Sequence, residues 1–310
     1  MVINPVARGG RSSVPRAALE AAAAERGWRL EWWPTEAPGH AAELAARAVR
    51  DRHPLLAVWG GDGTYNEAAR GLVGSSTALV ALPGGTTSVL AYELGIPRDP
   101  VAALCDQLAG ERREMAVGRT DAGQLFLLML SAGPDALILA NLPEMLKRLA
   151  GKAGIGAQAM VEFLHARLPR FTVRVDGQAL DASWCIVGNG RCYGGPYSAT
   201  PGADPFATGF EVVTLERHGR AAAVPFFFAI PSGRHLNMPG VDRRAATEVR
   251  LAGEGVPYQL DGDPAGFLPV TARAADERVA VMLPRHPVAP GRRSLTAVQS
   301  DTNFTSPVEF

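Results

Sequence analysis

Over roughly the first 110 residues, short apolar runs alternate with longer stretches whose apolar positions recur every three or four residues. That alternation predicts an α/β layered unit. Val2-Ile3 starts a strand, residues 17–26 read as an Ala-rich helix, and 28–33 alternate like a strand closed by Pro34. Helix 40–50, strand 55–59, helix 65–72, strand 78–82 and helix 88–94 follow. Gly95-Ile96-Pro97 stops the last helix, because Gly ends helices and Pro cannot continue one.

From about Glu114 the texture changes. Residues 124–130, 171–175, 183–187, 210–215, 248–251 and 278–283 are strand-like, with turn signals at Asp176-Gly177 and Asp261-Gly262. This part is mostly β. Residues 137–168 are the exception and read as amphipathic helix, either an ordinary cover over a sheet or a lid over an apolar mouth. The chain therefore divides into an α/β part (1–113), a β-rich part (114–285) and a loose Ser, Thr, Pro and Arg-rich tail (286–310). Only three residues precede Asn4, short for a strand. This predicts that the reading frame starts upstream and that an extended version is more stable.

Composition narrows the classes. Lys plus Arg and Asp plus Glu both number 31, so the basic excess of a nucleic-acid binder is absent. Three cysteines, at 105, 185 and 192, do not make a disulfide framework and fit a reducing, cytoplasmic setting. No uninterrupted apolar run reaches the ~18 residues of a spanning helix.

The chemistry concentrates at Gly60-Gly61-Asp62-Gly63-Thr64, between a strand and a helix. Glycines let the backbone approach a polyphosphate, and the helix start offers unpaired N–H groups to the anion. An Asp beside phosphate repels it unless it binds Mg²⁺ or orients a hydroxyl. A plain turn with Asp62 as helix cap would need fewer glycines. The run is not a Walker A loop: Gly151-Lys152 is followed by Ala153, not Ser or Thr. Gly188-Asn189-Gly190 is only half of a dinucleotide fingerprint. A second acidic pair, Asp261-Gly262-Asp263, reads alone as a β-turn.

Asn4-Pro5 with Gly9-Gly10, GGDGTxNE at 60–67 and PGGTTSxxxxxLGIP at 83–97 together resemble the diacylglycerol kinase catalytic-domain superfamily. That group includes soluble bacterial diacylglycerol kinases, YegS-like lipid kinases and sphingosine kinases. Gly188-Asn189, Gly194-Gly195, Pro201-Gly202-Ala203 and Asp261-Gly262-Asp263 extend the resemblance over about residues 3–284. It implies an N-terminal α/β nucleotide domain, a C-terminal β-sandwich-like domain and an active site in the cleft between them. ATP would meet Asn4, Ala7, Arg8, Gly9, Gly10, Thr35, Gly60, Gly61, Asp62, Gly63, Thr64, Tyr65, Asn66, Glu67, Gly85 and Thr86. Asp263 and Asp261 would be the leading general-base candidates, and Asp62 would serve Mg²⁺ or the substrate.

Two departures stand out. Ser88 replaces the usual Asn, keeping the ability to cap a helix but not the amide's reach. In 203–209 only Asp204 is acidic, a reduced version of a structural Mg²⁺ site. The resemblance implies ATP-dependent phosphorylation of a lipid hydroxyl at a membrane surface, with no nucleic-acid partner, and is compatible with a homodimer. The alternatives are an NAD kinase-like enzyme, against which the immediate Asn66-Glu67 argues, and a catalytically degraded nucleotide or lipid binder. Apolar residues 221–230 and 136–149 serve either core packing or an acyl pocket.

Overall fold

The computed structural model describes residues 1–5, 14–85, 88–141 and 169–288. The chain opens with β1 (Val2–Ile3), α1 (Arg16–Ala24), β2 (Trp33–Pro34), α2 (His40–Arg50), β3 (Leu55–Gly60), α3 (Asp62–Leu72), β4 (Ala78–Pro83), α4 (Val89–Glu93) and α5 (Pro100–Leu108). Strands β2, β1, β3 and β4 are parallel neighbours in that order. β3 and β4 read Leu-Leu-Ala-Val-Trp-Gly and Ala-Leu-Val-Ala-Leu-Pro and are buried nearly throughout, as a sheet covered on both faces requires. In α2, Ala41, Leu44, Ala45 and Ala48 are the buried positions, one stripe at helical spacing. α5 starts with Asp99 accepting the Ala102 N–H at 2.8 Å and Pro100 at its first position.

The alternating stretch 28–33 forms a strand only from Trp33, and Pro34 lies within it rather than after it. β2 is the edge of the sheet, where a residue without an N–H is tolerated.

The second part contains β5 (Glu111–Thr120), β6 (Leu125–Phe126), β7 (Met129–Ala132), α6 (Pro134–Asn141), β8 (Phe171–Val175), β9 (Gln178–Ala182), β10 (Trp184–Gly188), β11 (Cys192–Tyr193), β12 (Tyr197–Ser198), β13 (Phe210–Leu215), α7 (Arg220–Ala229), β14 (Val241–Ala246), β15 (Glu248–Ala252), β16 (Pro257–Leu260), β17 (Asp263–Phe267) and β18 (Val270–Leu283). One antiparallel sheet runs β14-β13-β10-β7-β16-β17. Its inner face (Leu130, Val187, Val212, Tyr258) packs on Val173, Val249, Leu251 and Val270 of the facing strands. Its outer face (Trp184, Ile186, Val213, Leu215) packs under Ala223 and Phe226 of α7. The continuous apolar run of β10 follows from this, since alternate residues feed different cores.

β18 is the seam. It pairs with β4 in parallel and with β5 and β15 antiparallel, so one ten-stranded sheet crosses both parts. The expected boundary at 113/114 lies inside β5, along which β18 pairs. Helix is present at the start of 137–168, and residues 142–168 lie outside the described residues, as does most of the tail. Among the described residues no helix is long and apolar enough to cross a membrane.

Candidate functional site: a cleft between two aspartate turns

The site forms where β1, β3 and β4 end, the edge at which open α/β sheets bind ligands. Asn4 follows β1; its backbone N–H donates to Trp59 O, and its Nδ2 donates to Thr64 Oγ1 at 3.0 Å. Thr35 sits beside it, its N–H donating to Ile3 O. The glycines have separate purposes. A Cβ on Gly60 would lie 2.6 Å from Thr64 Cβ, so this glycine makes room for the helix start. Among the described residues, a Cβ on Gly61 would meet Gly85 Cα, at 3.8 Å, and one on Gly63 would meet Asp263 Oδ2, at 3.5 Å. Neither contact is closer than ordinary van der Waals distance, and the one at Gly63 comes from the far side of the cleft.

Asp62 opens α3, yet its carboxylate crosses to α4 and accepts the N–H groups of Val89 and Leu90, both at 3.0 Å. It thus caps α4, whose own leading residue Ser88 makes no side-chain cap bond. Burial pushes the Asp62 carboxyl up to about 6, the two amides oppose the shift, and the charges of Asp261 and Asp263 add to it.

The opposite wall is the β16–β17 turn. Asp261 and Gly262 form a two-residue hairpin loop, both at positive φ. Asp261 accepts the N–H groups of Leu127 (2.7 Å), Leu128 (2.8 Å) and Met129 (2.8 Å), and the Asn66 side chain bonds it as well. Burial raises its pKa against the pull of these donors. Gly262 N–H donates to Gln259 Oε1 at 2.7 Å; Gln259 Nε2 donates to the buried Asp135, which also accepts the Tyr193 hydroxyl at 2.9 Å. With the turn held from both sides, the exposed Asp263 lies against Gly63.

A third element joins the walls. Glu93, at the end of α4, is buried and accepts Arg191 N–H (2.8 Å), Cys192 N–H (2.7 Å) and Arg191 Nε (2.9 Å). Asn189 donates to Ala116 O and Leu127 O. Helix α4 thus receives Asp62 at one end and grips the second part at the other.

The sequence-derived candidates separate accordingly. Asn4, Thr35, Gly60, Gly61, Asp62, Gly63, Thr64 and Gly85 come together at the sheet edge, with Asp261 and Asp263 opposite. Ala7, Arg8, Gly9, Gly10 and Thr86 lie outside the described residues. Tyr65 is fully buried in the core. Asn66 turns to Asp261, and Glu67 accepts Ala41 N–H at 3.3 Å, tying α3 to α2. Their backbone belongs to the loop-to-helix junction, while their side chains hold the scaffold. Asp204 is exposed and accepts the Phe206 N–H in a local turn. Among the described residues no three His, Cys, Asp or Glu side chains group closely enough to hold a metal. Asp62 and Asp263 nevertheless supply hard oxygen donors of the kind Mg²⁺ takes together with phosphate oxygens. Sequence reasoning passed over Glu93 and Gln259. The available signal for Glu93 was one acid within the apolar run Val89 to Leu94.

An α/β unit with a glycine crest, joined to a β-sandwich that brings aspartates to it, defines a two-part protein with a cleft between its parts. The family model "Diacylglycerol kinase catalytic domain" matches residues 1–120, and "YegS C-terminal NAD kinase beta sandwich-like domain" matches 129–283. The chain belongs to this diacylglycerol kinase and YegS-like family. It is similar to the "Probable lipid kinase YegS-like" protein of Pseudomonas fluorescens, 34% identical over 61% of this chain and 63% of that protein. The match thus spans less than two thirds of that relative. It is 28% identical to the "Diacylglycerol kinase" of Mycobacterium tuberculosis over 79% of this chain and 82% of that one. A solved diacylglycerol kinase structure from Bacillus anthracis shares the fold with TM-score 0.68 at 17% identity, covering 93% of this chain and 97% of that one. An NAD kinase from Archaeoglobus fulgidus, solved with ATP, shares it more distantly: TM-score 0.52, 13% identity, 91% and 92% covered.

Proposed function

We propose that this protein transfers the γ-phosphoryl group of ATP to the hydroxyl of a lipid, diacylglycerol or a related long-chain alcohol. The observation that carries the reading is the approach of Asp263 to Gly63, which sets a carboxylate from the sandwich against the glycine crest of the nucleotide domain. The names of the relatives support the reaction class and the lipid acceptor.

In this reading the polyphosphate lies along Gly60 to Thr64, with the start of α3 directed at it. Asp62 and Asp263 would hold a Mg²⁺ ion, which would supply charge neutralisation of the phosphates. The acceptor hydroxyl enters from the sandwich side. Its oxygen forms the new bond to the γ-phosphorus, the bond from that phosphorus to the β,γ-bridging oxygen breaks, and ADP leaves. Asp263 accepts the hydroxyl proton. Asp261 is the weaker base candidate, because its oxygens already take three amide protons and the Asn66 side chain. Asp62 positions α4 and would help to hold the metal. The place of work is the cytoplasmic face of a membrane.

The test is ATP consumption with short-chain diacylglycerol, sphingosine and NAD in parallel. Turnover with a lipid alcohol is the expected result. Turnover with NAD alone would replace the acceptor, and turnover with none would leave a nucleotide- or lipid-binding module.

A further inference from the structure

We infer that the outer face of α7 docks on an anionic lipid bilayer; the inference rests on the lipid-kinase reading and adds the surface that brings the cleft to its substrate. Residues 221–231 contain no polar side chain. A surface helix ordinarily carries charged or polar residues on its outward face. The inward face, with Ala223, Phe226 and Ile230, fills the core under the sheet. Ala221, Pro225, Phe228 and Pro231 are exposed, Phe228 to 58%. The stretch read as core or acyl-pocket lining therefore divides, with one side in the core and the other outside.

The outward rings are held in place. Phe227 stacks on Trp184 with centroids 6.2 Å apart, and Phe228 meets Phe227 edge-on at 5.6 Å. A fixed apolar patch loses little conformational freedom on insertion.

Charge decides among possible partners. From Arg217 to Val241 there is no acid, while Arg217, Arg220 and Arg234 are all exposed around the apolar face. In a chain of zero net charge, an apolar face with a cationic border is complementary to an acyl boundary under anionic headgroups. A second copy packed through the same face would bring a second cationic border up to the first.

The position also fits. The 3₁₀ turn Ile230–Ser232 that follows α7 packs against β12, whose Tyr197 is 44% exposed. Tyr combines an apolar ring with a polar tip suited to the headgroup level. β12 pairs with β11, and β11 begins at the Cys192 amide held by Glu93. The patch thus connects through one hairpin to the junction between the walls of the cleft.

The experiment is co-sedimentation of the full chain, without substrate, with phosphatidylcholine vesicles with and without phosphatidylglycerol. Binding is expected to need the anionic lipid and to weaken in high salt. Phe228→Ser should lower vesicle affinity about tenfold, as expected for a ring taken from water. Arg234→Glu should lower it about tenfold or more, since each cation near such a surface gives about a fivefold gain. Both should leave turnover of short-chain diacylglycerol in detergent micelles unchanged; melting curves matched to wild type verify the fold. Vesicle binding with this sensitivity supports the inference even if no lipid is phosphorylated, an outcome that would sink the kinase reading alone. Unaltered binding in both variants overturns the docking surface. So does a concentration-dependent dimer, seen without lipid, that Phe228→Ser dissociates.

Discussion

Two Asp-Gly turns in this protein share a backbone and differ in consequence. Asp176-Gly177 joins β8 to β9, and Asp261-Gly262 joins β16 to β17, each as a two-residue loop. Their φ values nearly coincide: 47° and 86° in the first, 49° and 94° in the second. Both carry the left-handed conformation that tight hairpins need. Asp176 is exposed at a sheet margin. Asp261 instead receives three amides at the β6–β7 link, and the residue after the turn is Asp263 where the other turn is followed by Gln178. The hairpin signal and the site signal are therefore the same residues. Local geometry makes the turn, and what the turn meets across the molecule gives it chemistry.

The sharpest way to break the contrast is to make the second turn read like the first. Asp263→Gln reproduces the Asp-Gly-Gln sequence and should lower kcat about a thousandfold, within the range for loss of a general base. The melting temperature should hardly move, because the side chain is exposed. Wild-type turnover in this variant would remove Asp263 from the mechanism.

Anchoring should differ almost as strongly. Asp261→Ala orphans the Leu127, Leu128 and Met129 amides and should cost about 3 kcal/mol by denaturant titration. Asp176→Ala should cost under about 1 kcal/mol, the ordinary range for an exposed site. Equal losses would mean that Asp261 serves only its own turn.

Gln259 tests the second support. Gln259→Ala leaves Gly262 N–H without its acceptor and should lower kcat about tenfold with KM for ATP little changed, since the glycine crest is untouched. A rise in KM for ATP with constant kcat would contradict its role in placing Asp263.

The smallest effect is a pH limb. Asp62 titrates near 6 rather than at its ordinary 3.8, so the rate should fall as pH drops through 6 and the carboxylate is protonated. The folded state holds this proton more tightly than the unfolded chain. The group therefore favours folding below 3.8, and that contribution is lost as pH rises through about 6. Burial shifts Asp261 and Asp135 in the same direction. A flat rate profile between pH 5 and 7 would show that ionised Asp62 is not required.

The comparison also marks what was legible. Periodicity located α2, α3, β3, β4, β8, β10 and β13, because each packs in the register its pattern dictates. The glycine crest was legible because a tight strand-to-helix junction, with no room for a Cβ at Gly60, leaves few residue choices. The sides of Tyr65 and Glu67 were not, since a motif gives spacing but not which side of α3 faces the core. Ser88 keeps the ability to cap a helix, but α4 is capped by Asp62, a contact 27 residues distant in sequence. β18 was recognised only over 278–283, because Thr271 to Glu277 is Ala-rich and charged and lacks alternation.

β18 carries a further consequence, for biosynthesis. A ribosome that has released the first 120 residues has released β1 to β4 and β5, yet both β4 and β5 await a neighbour encoded some 150 residues later. Such long-range pairing is slow to form and leaves strand edges exposed meanwhile. The nascent parallel sheet thus has a vulnerable interval that closes only when the sandwich has been translated. The α/β half and the sandwich half are committed to maturing together.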